Sequence, residues 1–94
     1  MTERANVPTA ALASVADGAR VCVSEVRLDR GDAAWLSAVG IGVGDVLTVV
    51  RRAPFGGPLH VATEHGGEFA LGLSLAQGIV VEPLGPREKR EGRS

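Results

Sequence analysis

Residues 51–59, Arg-Arg-Ala-Pro-Phe-Gly-Gly-Pro-Leu, constrain this chain more than any other stretch. They separate two apolar runs, Val46 to Val50 and Leu59 to Ala62, both built from residues that suit a pleated, half-buried surface. Pro54 and Pro58 each fix φ near about −65° and lack an N–H, so neither can sit inside a central ladder. Gly56 and Gly57 accept positive φ at little steric cost. The segment reads as a strand, a stiff reversal longer than a two-residue hairpin turn, and a returning strand. Phe55 is the anomaly, a large apolar side chain among turn residues. Folding back as a plug on the core is the preferred reading, and standing out as a contact is the alternative.

The flanking sequence supplies a small number of short elements. Residues 1–10 are small and polar without periodicity and are expected to be disordered. Leu12 and Val15 suit a helical turn laid on the core, with Asp17-Gly18 as a turn after it. Val21, Val23 and Val26 start a first strand, with a bulge expected near Glu25-Val26 and Cys22 and Ser24 on the other face. Asp32 is placed to cap a helix through Ala33–Val39, with Trp35, Leu36 and Val39 as its apolar face. Gly40 suits the position just past that helix. So short a helix must dock on a sheet or plug the end of a barrel.

Ile41–Asp45 is a tight link into the strongest strand. There Leu47 and Val49 share one face and Val46 and Val50 the other, and both faces are expected to be buried, one of them under the helix. After the reversal, Leu59, Val61 and Thr63 alternate with His60, Ala62 and Glu64. His65-Gly66-Gly67 turns into a strand with Phe69 and Leu71 on one face. Leu73–Gly78 is one helical turn with Ser74 as its cap, and Ile79–Glu82 is a last strand ended by Pro83. Residues 85–94 hold four basic and two acidic residues and nothing apolar, a solvated tail. The expected organisation is therefore a disordered segment 1–10, one domain at 11–84 and a charged tail at 85–94. The fold class is mainly β, a small barrel or sandwich of about five strands with one short helix and a helical turn.

Composition narrows the function. A formal net charge of −1 gives no global reason to bind nucleic acid or an anionic membrane. Trp35, Phe55 and Phe69 are the three aromatic residues, too few for a base-stacking platform. The single cysteine, Cys22, excludes an internal disulfide and fits a reducing compartment. No apolar run approaches the roughly 20 residues of a membrane span, and Met1–Arg4 leads into no apolar leader. The expectation is a cytoplasmic protein.

Catalytic and metal chemistry find little support. Phosphate-loop and nucleophile-turn patterns are absent, and Gly40-Ile41-Gly42-Val43-Gly44 precedes a strand rather than opening a helix. The expected answer is no enzyme and no cofactor. Among candidate ligands, His60 and Glu64 share a strand face but lie about 13 Å apart, far beyond ligand bonds near 2 Å. Glu64 and His65 are weak candidates for a surface metal around a turn, with Cys22 and Glu68 as outsiders. Solvated polar residues on an exposed hairpin are the preferred reading.

Several motifs together resemble the FeoA family of small proteins associated with bacterial ferrous iron uptake. These are Leu12-x-x-Val15-x-x-Gly18, Leu36-Ser37-Ala38-Val39-Gly40-Ile41-x-x-Gly44, Val49-Val50-Arg51-Arg52-Ala53-Pro54-Phe55-Gly56-Gly57-Pro58, and the run from Gly67 to Val81. The likeness covers roughly residues 11–83. It implies an SH3-like barrel and a non-enzymatic, cytosolic accessory role. It also implies a partner, the FeoB-type membrane iron transporter with its cytosolic GTPase domain. The alternative it implies is a metal-linked regulatory module related to the C-terminal domain of diphtheria-toxin-repressor-type regulators. Two departures stand out: Ala33-Ala34-Trp35 and Gly72-Leu73-Ser74 occupy places where many relatives carry basic residues.

A binding module presents its loops and one groove. The candidate partner-binding residues are Trp35 and Leu36 on the helix and Arg51, Arg52, Pro54, Phe55, Gly56, Gly57 and Pro58 at the reversal. Trp is enriched in interface hot spots, although a core role for Trp35 fits equally well. Arg51 and Arg52 point to opposite faces, so one must be exposed; a solvated strand end is the preferred reading, and pairing with a partner carboxylate is the alternative. Edge strands leave homodimerisation open.

Overall fold

The computed structural model describes residues 8–84. Its elements are β1 (Ala10–Ala11), a 3-10 turn (Leu12–Ser14), β2 (Arg20–Val26), α1 (Arg30–Ala38), β3 (Val46–Arg52), β4 (Leu59–Thr63), β5 (Glu68–Leu71), α2 (Leu73–Gln77) and β6 (Ile79–Pro83). The strands form one antiparallel sheet in the order β1-β6-β2-β3-β4-β5. β1 and β5 are its edges, so the sheet curls without closing by strand pairing. This is an open SH3-like barrel, mainly β as expected. The strand the sequence reading lacked is β1, where Ala10 pairs with Val81 and Ala11 with Val80. Most of the segment expected to be disordered, and the tail from residue 85, lie outside the described residues.

Strict alternation builds the core. Val21 and Val23 on β2, Leu47 and Val49 on β3, Leu59 and Val61 on β4 and Ile79 and Val81 on β6 are all buried. Each fully buried side chain of this size stabilises by about 1.5–3 kcal/mol relative to exposure. Two register shifts bend the sheet, one between Val23 and Glu25 and one between Val49 and Arg51. An extra residue in one strand sharpens the local twist, which lets a short sheet wrap around a small core. The first shift lies one residue from where the sequence suggested it. The second was not foreseen, and it overturns the expected burial of Val50. As the extra residue, Val50 is turned outward and is 40% exposed. Val46 is half-buried.

Short helical pieces complete the core. The 3-10 turn buries Leu12 and packs against α2, which buries Ala76. α2 starts after Gly72 with no side-chain cap, so Ser74 lies inside the helix rather than capping it. α1 buries Leu36. Its cap is Asp29, whose Oδ1 accepts from the Asp32 N–H at 2.9 Å, and not Asp32 as the sequence suggested. The helix thus begins one turn earlier and takes Gly31 into its first turn, because the Asp29 carboxylate reaches the free N–H groups there. Its end matches expectation. Gly40, at φ +94°, lets the Ile41 N–H bond Leu36 O at 2.8 Å and its own N–H bond Ser37 O at 3.1 Å. This paired arrangement is the Schellman ending, and Ile41 and Leu36 meet in the core as that motif favours. Among the described residues, no helix is long and apolar enough to cross a membrane.

The cap assignment is testable by thermal unfolding. Asp29→Ala is expected to cost about 1 kcal/mol, whereas Asp32→Ala, which loses only a dipole interaction, costs a few tenths. Equal losses would contradict the assignment.

Candidate functional site

The reversal after β3 is a tight tip on a hairpin arm. Ala53 N–H donates to Pro58 O at 3.0 Å and Gly57 N–H to Pro54 O at 3.2 Å. Between the latter pair, Phe55 has φ +58° and Gly56 φ +76°. Positive φ at both central residues is the pattern of a type I′ turn, whose twist matches a hairpin. Glycine takes this backbone freely, but Phe55 does so against its own Cβ, at a cost of roughly 1–2 kcal/mol. Gly57 has no room for a side chain, since a Cβ there would sit 2.7 Å from Ala53 Cβ.

Phe55 is fully exposed. The plug reading is therefore overturned, and the ring stands out from the domain as in its alternative. The I′ turn aims the ring away from the sheet, and the two prolines leave the bend no slack to fold it back. A bulky aromatic held at positive φ and wholly in solvent gains nothing from the fold. Backbone strain of this kind clusters at binding sites, clamps and switch regions.

Arg51 and Arg52 part ways as expected, and their register tells them apart. Arg52 pairs with Leu59, on the core side of the sheet, and Arg51 pairs with His60, on the outer side. Both side chains reach the surface. Arg52 is engaged within the molecule: its Nη1 donates to Ala13 O at 2.7 Å and its Nη2 to Val15 O, and its Nε lies 3.8 Å from Asp17 Oδ1. It clasps the N-terminal turn to the root of the arm, so a partner contact by Arg52 would have to break this clasp. Arg51 makes no ion pair among the described residues and is the outward charge of the arm.

The helix candidates divide as well. Leu36 is fully buried in the core and offers no surface, which corrects its place among the contacts. Trp35 is 48% exposed. Its ring meets Phe69 edge-on, with centroids 6.4 Å apart and planes at 80°, a favourable aromatic geometry. It is thus half anchor and half surface. Gly40, which ends α1, lies against Thr63 and His65 at the far end of β4 from the bend. The tip around Phe55 and the helix around Trp35 therefore sit toward opposite ends of β4 and make two patches rather than one surface. Sequence reasoning missed Val43 and Val50, both exposed apolar residues. A bulge in β3 was the missing signal for Val50.

The metal candidates are scattered. Glu64 pairs with Arg20 at 3.5 Å, and His65 approaches Gly40. Among the described residues, no group of three or more His, Cys, Asp or Glu side chains is gathered to hold a metal ion. Cys22 is half-buried. Near the end of β2, Arg27 donates to both Glu25 carboxylate oxygens at 2.9 and 3.1 Å. That hydrogen bond holds the Glu25 carboxyl below its usual range.

Comparison with known proteins agrees with this geometry. A family model described as FeoA domain matches residues 10–83. The solution structure of an FeoA protein from Chlorobium tepidum is similar at TM-score 0.74 and 28% identity, over 82% of this chain and 72% of its own. A manganese-dependent transcriptional repressor in complex with manganese is similar at TM-score 0.75 and 29% identity, over 82% of this chain. This chain spans 37% of that repressor's length. An iron uptake regulatory protein (FeoA), 23% identical at TM-score 0.72, is matched over 83% of this chain and 100% of its own and shares the fold. No curated protein matched.

Stability separates the clasp from the tip. Arg52→Ala is expected to lower the melting temperature by about 4–8 °C, the loss of about 1 kcal/mol of charge-assisted bonding in a domain this small. Phe55→Gly is expected to leave it unchanged or raise it, since glycine relieves the positive φ. A drop of more than about 4 °C for Phe55→Gly would mean that the ring supports the fold after all.

Proposed function

Because this chain belongs to the FeoA family, whose members accompany ferrous iron transport, we propose that it is a cytosolic, non-enzymatic accessory protein that binds and modulates an FeoB-type iron transporter. The observation that carries the docking role is Phe55, fully exposed and held at positive φ on a stiff hairpin tip. The proposed contact set is Phe55 with Pro54, Gly56, Gly57, Pro58 and Arg51, with the half-exposed Trp35 as a second patch. A preformed bend loses little conformational freedom on binding, so more of its contact energy appears as affinity. Docking on the transporter's cytosolic GTPase domain is the step through which it would modulate transport.

A pull-down with that cytosolic domain tests the proposal. Phe55→Ala is expected to weaken capture at least tenfold, as for a hot-spot residue, and Trp35→Ala to weaken it less, because half of that ring serves the core. Capture that survives both substitutions unchanged would remove both surfaces.

The likeness to the manganese-dependent repressor favours a second reading, a metal-linked regulatory module. Anaerobic titration with ferrous iron, followed by backbone NMR shifts, separates the two. The docking reading expects no shift at stoichiometric iron, while shifts clustered around one set of residues would support the regulatory module.

A further inference from the structure

We propose that the hairpin tip inserts into an apolar cleft on an acidic protein surface, with Phe55 filling the cleft and Arg51 pairing with a carboxylate at its rim. This rests on the docking reading above and adds what the partner must offer.

The first support is the ring itself. Phe55 is fully exposed and its direction is set by a backbone bounded by Pro54 and Pro58, with the Ala53–Pro58 and Pro54–Gly57 hydrogen bonds closing the bend. A ring aimed by stiff backbone suits a pocket of fixed shape. Val50, turned out by the bulge, extends the apolar surface along the same arm.

The second support is charge. From Val46 to Thr63 the chain carries Arg51 and Arg52 and no aspartate or glutamate. The described residues as a whole carry more acidic than basic side chains. Among the described residues, the hairpin is therefore a cationic arm on an acidic body, in a chain of formal net charge −1. Arg52 is held by the Ala13 and Val15 carbonyls and by Asp17, which leaves Arg51 to act outward. Arg51 shares the outer face with His60, its cross-strand partner, and Ala70 continues that row on β5. Among the described residues, no carboxylate stands in this row. A guanidinium beside an exposed aromatic is the pairing that reads a carboxylate next to an apolar pocket.

Two other occupants fit the chemistry less well. An anionic lipid surface would gain about 1 kcal/mol from one outward arginine and would not need a fixed ring direction. A second copy offers acidic side chains but also brings its own cationic arm, and the sedimentation arm of the test separates it.

The test is a binding titration of the full chain against the transporter's cytosolic domain across a series of salt concentrations, with circular dichroism confirming that each variant is folded. The parent's affinity is expected to fall as salt rises. Arg51→Glu should weaken binding at least about tenfold and flatten the salt dependence, while Arg51→Lys retains most of the affinity. Phe55→Ala should weaken binding at least about tenfold and keep the salt dependence. If Phe55→Ala weakens binding but Arg51→Glu and salt do not, the acidic rim is wrong and the docking reading stands. If the parent does not bind at all, both fall. Phe55-dependent binding to phosphatidylserine vesicles without binding to the domain would assign the tip to lipid and overturn the proposal. Self-association in sedimentation that is lost in Arg51→Glu, again without binding to the domain, would assign it to a second copy and overturn it equally.

Discussion

Inward alternation along the β3–β4 hairpin is the constraint on which the rest of the molecule depends. Leu47, Val49, Leu59 and Val61 are all fully buried, and together they form one wall of the core. The wall alone is too small to exclude water. The rest of the core is closed by short pieces that could not stand by themselves, the 3-10 turn with α2 against β6, and α1 with Ile41. Each piece inserts one or two fully buried side chains and leaves the rest of its surface to solvent. A core of this size tolerates no loose wall, and the two bulges let so few residues wrap it.

The same hairpin that supplies the wall also supplies the arm. Inside the sheet its residues alternate under pairing, and beyond Arg52 and Leu59 the pairing ends and the bend is free to point outward. The Arg52 clasp fixes the junction. By binding carbonyls of the N-terminal turn, 39 and 37 residues away in sequence, it ties the start of the domain to the root of the arm. A rigid root steadies the tip, because movement at the root is amplified there.

Phe55 shows how local strain and function meet. A glycine there would satisfy the turn better, and a polar residue would satisfy the solvent better. The fold meets the cost of an exposed ring at positive φ with the burial elsewhere in the hairpin. Under the proposed docking function, that arrangement is what a domain holding one side chain out for a partner requires.

Much of the architecture was legible in the residues: the alternation of β3 and β4, the Gly40 helix ending, the bend at Pro54–Pro58 and the mainly β class all follow from interactions between near neighbours. Those signals are local, and period and turn chemistry report them directly. What the chain alone could not decide was direction. Whether Phe55 turns in or out depends on the sign of φ in a turn that several residue types can make. Trp35 is only half-covered because Phe69, from a distant strand, supplies one edge, and Leu36 rather than Trp35 takes the core position. The role of Arg52 is invisible until Ala13 and Val15 come within reach. Local chemistry determined where strands, turns and helix ends fall, whereas exposure and pairing were decided by neighbours remote in sequence, since only tertiary packing brings those neighbours together.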